Sequence, residues 1–263
     1  MPTMSLPAGP SQTDSGRLYR NPPVVEAFCE VYFTSSNWDD TIPDLFYEEV
    51  KDRFPNQEEP FSRQVDLTLD VPNDKFSSAI QPGPFRKLFK TAEGDQIIQI
   101  AENLFVFNQL TPYSSFQSWE TAFYEVFDIY VKLVSPHAVD RLGVRYLNHV
   151  SIPEQRFQMS DYFTVFPIIP LGSGNAHGNF LINCVIPQSD EGHFLTFSFS
   201  KIVPEPPDEI SQAFLLDLYD QAFLDRTLSE SEFKSHVRVA HGNVVRAFEG
   251  SITDRLRALF NEE

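Results

Sequence analysis

The chain has 263 residues, of which 41% are hydrophobic, so it can form one large domain or two small ones with a substantial core. Its 37 acidic residues against 20 basic ones give a formal net charge of −17. Nucleic acids and anionic membranes attract positive charge, so this balance argues against both as partners. Another protein, including a basic one, is therefore the expected partner, and the oligomeric state stays open.

The cysteine content and the N-terminus predict a soluble cytoplasmic protein. Cys29 and Cys184 lie far apart in apolar, strand-like runs, so we expect two buried, unpaired thiols in a reducing compartment. The sequence contains no run of about 18 apolar residues, so no transmembrane helix is predicted. The N-terminus lacks the basic and then apolar pattern of a secretory signal. Residues 1–18, rich in Pro, Ser and Gly, are predicted to form a disordered lead.

The first half, residues 19–136, combines strand-type alternation with helical spacing. In Val24–Phe33, apolar residues alternate with Glu26, Phe28, Glu30 and Tyr32, which predicts a strand with one buried face. The remaining predicted elements are a helix at Asp39–Phe54, strands at Gln64–Val71 and Phe85–Ala92, two strands within Gln96–Leu110, and a helix at Ser115–Val134.

The second half, residues 137–263, shows a similar order of elements. Predicted in turn are a strand at Val139–Ile152, a short helix at Met159–Phe166, and strands at Phe180–Ile186, His193–Val203 and Ala213–Tyr219. A capping box of Ser229 and Glu232 begins a long helix. Gly250 is expected to interrupt that helix, and Ser251 with Asp254 to open a final one that ends at Phe260.

These elements predict the α+β class. Each half has a strand, a helix, several strands and a long helix, which indicates two pseudo-repeated β-α-β(3–4)-α halves packed as one unit. Their antiparallel sheets would carry the long helices on one side, in the order of TATA-binding-protein-like folds. No residue-level repeat links the halves, so the duplication rests on element order. Two side-by-side α+β lobes are the alternative.

No catalytic, cofactor or metal motif is present in the sequence. The glycine-rich loop at residues 172–178 is not followed by Lys-Ser/Thr or by a helix, so it is predicted to be a connecting loop rather than a phosphate site. No Gly-x-Ser-x-Gly, His-Glu-x-x-His or Cys-x-x-Cys pattern occurs. We therefore predict no cofactor and no catalytic or metal-binding residue, although an enzyme whose site is assembled from distant residues remains possible.

Isolated histidines and aspartates do not change that prediction. His236 and His241 lie about 140° apart on a helix and cannot share a ligand face. Asp217 and Asp220 point to opposite faces of a strand, and we interpret them as solvated residues at the strand end.

Charged and aromatic side chains on the first strand of each half form the candidate interaction face. Glu26 and Glu30 have the same i, i+4 spacing as Arg141 and Arg145, roughly 13 Å along a strand. Antiparallel neighbouring strands would allow two carboxylate–guanidinium pairs between the halves. The alternative is a surface that docks a partner. The residues of this face are Glu26, Phe28, Glu30, Tyr32, Arg141, Arg145 and His149.

Three segments carry a family resemblance: NPPVVEAFCEVYF (21–33), RLGVRYLNHVSIP (141–153) and FEGSITDRLRALF (248–260). Together they resemble an uncharacterised, sporadically distributed family of prokaryotic proteins of about this length, and the resemblance extends from Tyr19 onward. The family has no assigned activity and transfers no site residue. Its scattered occurrence implies horizontally moved genes, including those of defence, CRISPR-ancillary and toxin–antitoxin loci.

The expected function is therefore that of a non-enzymatic protein-interaction or regulatory protein. It would be an adaptor, inhibitor or accessory subunit of a mobile or defence-associated locus. A hydrolase or nucleotide-processing enzyme is the alternative. A nucleic-acid binder that uses a curved sheet face comes third.

Overall fold

A computed structural model describes residues 17–58, 63–70, 75–82, 86–168, 179–190, 192–202 and 212–261, with the backbone alone for 63–70 and 75–82. These residues form an α+β protein with a nine-stranded antiparallel sheet, a separate two-stranded sheet and five helices. The predicted α+β class and antiparallel pairing are confirmed.

The strands are β1 Val24–Phe33, β2 Asn56–Glu58, β3 Arg63–Asp70, β4 Lys75–Pro82, β5 Lys87–Lys90, β6 Gln96–Ala101, β7 Leu104–Leu110, β8 Val139–Ile152, β9 Leu181–Pro187, β10 His193–Ile202 and β11 Gln212–Arg226. The helices are α1 Ile42–Val50, α2 Phe116–Val134, α3 Met159–Tyr162, α4 Glu230–Ser251 and α5 Asp254–Leu259.

The large sheet has the strand order β2-β5-β6-β7-β1-β8-β11-β10-β9, and β3 with β4 forms the small one. The first strands of the two halves, β1 and β8, are therefore antiparallel neighbours in its middle. In their register Phe28 lies opposite Arg145 and Tyr32 opposite Arg141. Strand β11 flanks β8 on the other side and places Tyr219 opposite Arg145.

The two long helices pack on the same face of this sheet. Phe33 of β1 stacks on Phe127 of α2 with 6.3 Å between ring centroids, and Phe127 stacks on Phe233 of α4 at 4.7 Å. Both helices carry a buried apolar stripe that one sheet face can cover. The described short helices also contact this face or the long helices, as Phe46 of α1 does through Phe105. No described helix packs on the opposite face.

Several predicted boundaries differ from the structure. Strands β2 and β4 were not predicted, and helix α4 continues through Gly250 to Ser251. Helix α5 is capped by Thr253 rather than Ser251, since the Thr253 side chain accepts a hydrogen bond from the Leu256 amide. Cys29 is buried as expected, but Cys184 is exposed because β9 is an edge strand.

Three predicted features fall partly or wholly outside the described residues. They are the N-terminal lead up to residue 16, the glycine-rich loop at 172–178 and the proline-rich link around residues 204–207.

Candidate functional site

The face of the large sheet opposite the helices is called the open face below. It carries all seven residues of the candidate interaction face. Its central and outer residues are Glu26, Phe28, Glu30 and Tyr32 of β1, Arg141, Gly143, Arg145 and His149 of β8, Asp217, Tyr219 and Phe223 of β11, and Phe194 of β10.

Tyr219 connects three strands across the middle of the open face. Its hydroxyl donates a short hydrogen bond to a carboxylate oxygen of Glu30, two strands away. The ring crosses β8 at Gly143, where an added Cβ would fall 2.5 Å from a ring carbon of Tyr219. Only glycine leaves that space, so Gly143 permits the contact. Burial, followed by the negative charge of Glu30, raises the pKa of Tyr219 and keeps its hydroxyl protonated at neutral pH.

Arg141 is held between aromatic rings beside this contact. Its guanidinium carbon lies 4.1 Å from the ring centroid of Tyr32 and 6.0 Å from that of Phe223. A terminal nitrogen approaches Glu30 at 3.7 Å, and the buried Nε has no hydrogen-bond partner within the described residues. Arg141 is thus fixed mainly by stacking, which leaves part of its hydrogen-bonding capacity unused.

Arg145 forms a two-pronged ion pair with Asp217 rather than with Glu26. Its Nε and terminal nitrogen lie 2.6 and 2.5 Å from the two carboxylate oxygens. This hydrogen bonding raises the pKa of Arg145 further. Glu26 instead accepts a hydrogen bond from Asn108 at 2.6 Å. Among the four charged residues predicted to pair between the halves, Glu30 and Arg141 lie 3.7 Å apart, whereas Glu26 and Arg145 bond to other residues.

His149 lies on the same face of β8 beyond Arg145. Its side chain is half-buried and makes no hydrogen bond within the part of the chain that the structure describes. The structure brings five of the seven residues together around Tyr219, namely Phe28, Glu30, Tyr32, Arg141 and Arg145. Glu26, bonded to Asn108, and His149 lie at the margin of this cluster.

An apolar area extends the open face toward the β9 edge. Phe223 is 54% exposed and Phe194 is 38% exposed, and their rings meet edge to face with 6.0 Å between centroids. Val185 of β9, which lies opposite Thr196 of β10, is 62% exposed. Large side chains exposed together on one surface are typical of interaction sites.

A second polar cluster lies on the helix-covered face. Asp220 of β11 is fully buried, with one oxygen 2.6 Å from Nδ1 of His193 and the other accepting from Asn243 at 2.9 Å. Nε2 of His193 lies 3.0 Å from Nδ1 of His236. Interpreting Asp220 as solvated was wrong. Its place in the apolar register of Leu216 and Leu218 was the available indication of burial.

A third cluster joins α4 to β8 near the N-terminus of α2. The hydroxyls of Tyr113 and Tyr146 lie 2.9 Å apart, and Tyr146 lies 3.1 Å from Nδ1 of His241. The His241 ring stacks on Phe116 with 3.7 Å between centroids. Burial lowers the pKa of His241 to about 4, so the ring is neutral at neutral pH.

Within the described residues, no group of three His, Cys, Asp or Glu side chains is placed to hold a metal ion. None of the described helices is both long and apolar enough to cross a membrane. Comparison of the chain with models of protein families found no match, and comparison with curated proteins found no relative.

Proposed function

We propose that the protein acts by binding another protein, as an adaptor, inhibitor or accessory subunit, through the open face of its sheet. One observation carries this proposal. The cluster around Arg141 and Tyr219 continues into the exposed rings of Phe194 and Phe223, and no described helix covers it. Solvent-exposed aromatic rings next to a fixed arginine are common at the energetic centres of protein interfaces.

The chemistry of the face favours a partner that presents an apolar segment. Phe194, Phe223 and Val185 offer exposed apolar contact area, and the rings around Arg141 are already held in place. Fixed side chains lose little conformational entropy on binding, so more of the contact energy remains as affinity. The net charge of −17 favours a partner of positive net charge, because opposite charges speed association.

We also infer that the two halves, 19–136 and 137–263, arose by duplication in a TATA-binding-protein-like order. The sheet order supports equivalence of β1 with β8, β7 with β11, and α2 with α4. Superposing the halves in an experimental structure tests this, and mismatched helix positions would contradict it. The resemblance noted above supports a mobile or defence-associated locus, which inspection of the neighbouring genes tests.

An enzyme remains the second candidate function because of one observation, the hydrogen-bonded chain of Asp220, His193 and His236. Its site would be assembled from residues distant in sequence. The third reading, a nucleic-acid binder, has the aromatic face in its favour and the net charge against it.

Photo-crosslinking tests the docking proposal. A benzophenone amino acid replaces Phe223 on the open face or, as a matched control, Leu45, which is 48% exposed on α1. Cells expressing each variant are irradiated, and the adducts are identified by mass spectrometry. We expect one protein to be captured from position 223 and not from position 45. The purified pair should then bind, and Phe194→Ser with Phe223→Ser should weaken binding by about ten-fold or more.

The melting midpoint of the double serine variant should stay near that of the wild type, since both side chains are already exposed. Equal capture from both positions would contradict the proposal, as would unchanged affinity in the variant. A nucleic acid crosslinked at position 223 would favour the third reading instead.

A further inference from the structure

Three side chains between the sheet and α4 form a continuous chain that reaches the surface. Asp220 lies 2.6 Å from His193, and His193 lies 3.0 Å from His236. The Asp220 and His193 side chains are 0% and 1% exposed, whereas His236 is half-buried. The chain therefore connects a fully buried carboxylate to a histidine at the protein surface.

The hydrogen bonds fit the following assignment of protons along this chain. An ionised Asp220 can only accept, so Nδ1 of His193 donates to one oxygen and Asn243 donates to the other. In this tautomer Nε2 of His193 accepts from Nδ1 of His236, at 3.0 Å. This leaves Nε2 of His236 with a free lone pair, and that atom has no hydrogen-bond partner within the described residues. Arg246 holds Asn243 in place at 3.0 Å.

Charged groups on several elements face His236. Asp190, Glu232 and Arg226 lie close enough to influence it, and Arg226 is itself bonded to Glu232 at 2.9 Å. Burial is the main cause that lowers the pKa of His236. The ring is therefore unprotonated at neutral pH. An unprotonated imidazole aligned through a second group to a carboxylate resembles the arrangement that activates nucleophiles in enzymes.

We propose that His236 is a nucleophile that accepts an acyl group from a neutral activated ester and passes it to water. His193 and Asp220 act as positioning residues. This inference is independent of the docking proposal, because His236 lies on α4, on the helix-covered side of the sheet. A neutral donor fits the mixed charge around the ring, where Asp190 and Glu232 are balanced by Arg226.

A surface cleft of about 320 Å³ runs along α4, and one of the residues that line it, Asp190, also influences His236. Asp190, Ser235, Val239 and Arg246 are among the residues that line it.

The reaction balances in two steps. Nε2 of His236 attacks the carbonyl carbon, the bond to the alcohol oxygen breaks, and the alcoholate leaves. The positive charge on the ring is relieved when the Nδ1 proton moves to Nε2 of His193, whose imidazolium is stabilised by Asp220. Water then attacks the acyl-imidazole, the carboxylic acid leaves, and Nδ1 regains its proton from His193. The attacking water keeps one proton in the carboxylic acid and loses the other to the alcoholate, so ester and water become acid and alcohol.

Diethyl pyrocarbonate, a neutral acylating reagent, tests the nucleophile directly in the unmodified protein. His137 is the internal control, since it is exposed and its side chain makes no hydrogen bond within the described residues. Peptide mass spectrometry gives the rate at each histidine. We expect His236 to react on the order of ten-fold faster than His137 although it is less exposed. Equal or slower reaction at His236 would overturn the proposal and make the chain a structural link between α4 and the sheet.

Two sets of variants test transfer and positioning. Wild type and His137→Gln should hydrolyse p-nitrophenyl acetate equally, and His236→Gln should be slower by about ten-fold or more. Equal rates in the two glutamine variants would overturn the transfer step. Asp220→Asn should reduce the rate ratio of His236 to His137 to about one while the circular dichroism stays unchanged. A ratio that remains high in a folded Asp220→Asn protein would contradict the role of Asp220. If Asp220→Asn does not fold, the ratio of the reaction rates of His236 and His137 in the wild type still tests whether His236 is a nucleophile.

Discussion

The hydroxyl of Tyr219 on β11 donates a hydrogen bond to Glu30 on β1 across the intervening strand β8. The two residues are 189 positions apart in the chain, and their contact depends on the absence of a side chain at Gly143. It joins β1 to β11 over β8 on the open face. It also sets the position of Glu30 beside Arg141.

Replacing Gly143 by alanine should destabilise the protein. The new Cβ would overlap the Tyr219 ring, so either the ring or the β8 backbone must move, at a cost of about 1–3 kcal/mol. Urea denaturation measures the loss. Gly250→Ala is the matched control, because it has open space around it in α4 and should stabilise by about 0.5–1 kcal/mol. Similar midpoints for the two variants would show that Tyr219 is not held over Gly143.

Double-mutant cycles can show which carboxylate, Asp217 or Glu26, is the partner of Arg145. Arg145→Gln combined with Asp217→Asn should show a coupling of about 1–2 kcal/mol, because the pair is bidentate and half-buried. Arg145→Gln combined with Glu26→Gln should couple by less than about 0.5 kcal/mol, since Glu26 is bonded to Asn108. Chemical denaturation of the four proteins in each cycle gives both values. A larger coupling to Glu26 would contradict the pairing seen in the structure.

The sequence predicted strands better than it predicted their side-chain partners. Val24–Phe33 and Val139–Ile152 have the predicted bounds because apolar alternation is a local property of a strand. Alternation also predicted which face of its own strand each of Arg145 and Asp217 occupies. It cannot decide whether Glu26 or Asp217 is the partner of Arg145. That choice depends on which strands are neighbours and in which register.

The Asp220 cluster was missed for a similar reason. His193 and Asp220 lie 27 residues apart, and nothing local indicates that their strands are adjacent or that α4 covers them. A charged residue in an apolar register marks a buried polar group, but the identity of its partner is a property of the tertiary fold. The exposure of Cys184 likewise depends on β9 lying at the edge of the sheet.

Trp119 should be one of the main contributors to the stability of α2. It is 2% exposed and packs against Phe107, Phe116 and Phe123. Trp119→Ala should therefore cost about 3–5 kcal/mol in urea denaturation. Trp119→Phe should cost less than about 2 kcal/mol, since it keeps a ring and removes an indole N–H that has no partner among the described residues. Equal costs for both variants would mean that the ring does not fill this site.

His241 should make stability depend on pH between about 4 and 6.5. Burial lowers its pKa to about 4 in the folded protein, whereas the unfolded chain titrates near 6.5. In that window the unfolded state binds the proton and the folded state does not, so stability falls as the pH is lowered. The full effect is about 3 kcal/mol and is reached near pH 4.

The measurement is the unfolding free energy of wild type and His241→Gln from pH 7.5 to pH 4. The glutamine variant is less stable at neutral pH because it loses the stacking on Phe116, but its stability should fall less steeply on acidification. The comparison uses only the difference between the two proteins, so carboxylates such as Asp220, which titrate in both, cancel. His236→Gln should remove a smaller part of the slope, since His236 is only half-buried. Parallel pH profiles for wild type and His241→Gln would mean that His241 is solvated, and that the chain from Tyr113 through Tyr146 does not end in a buried neutral ring.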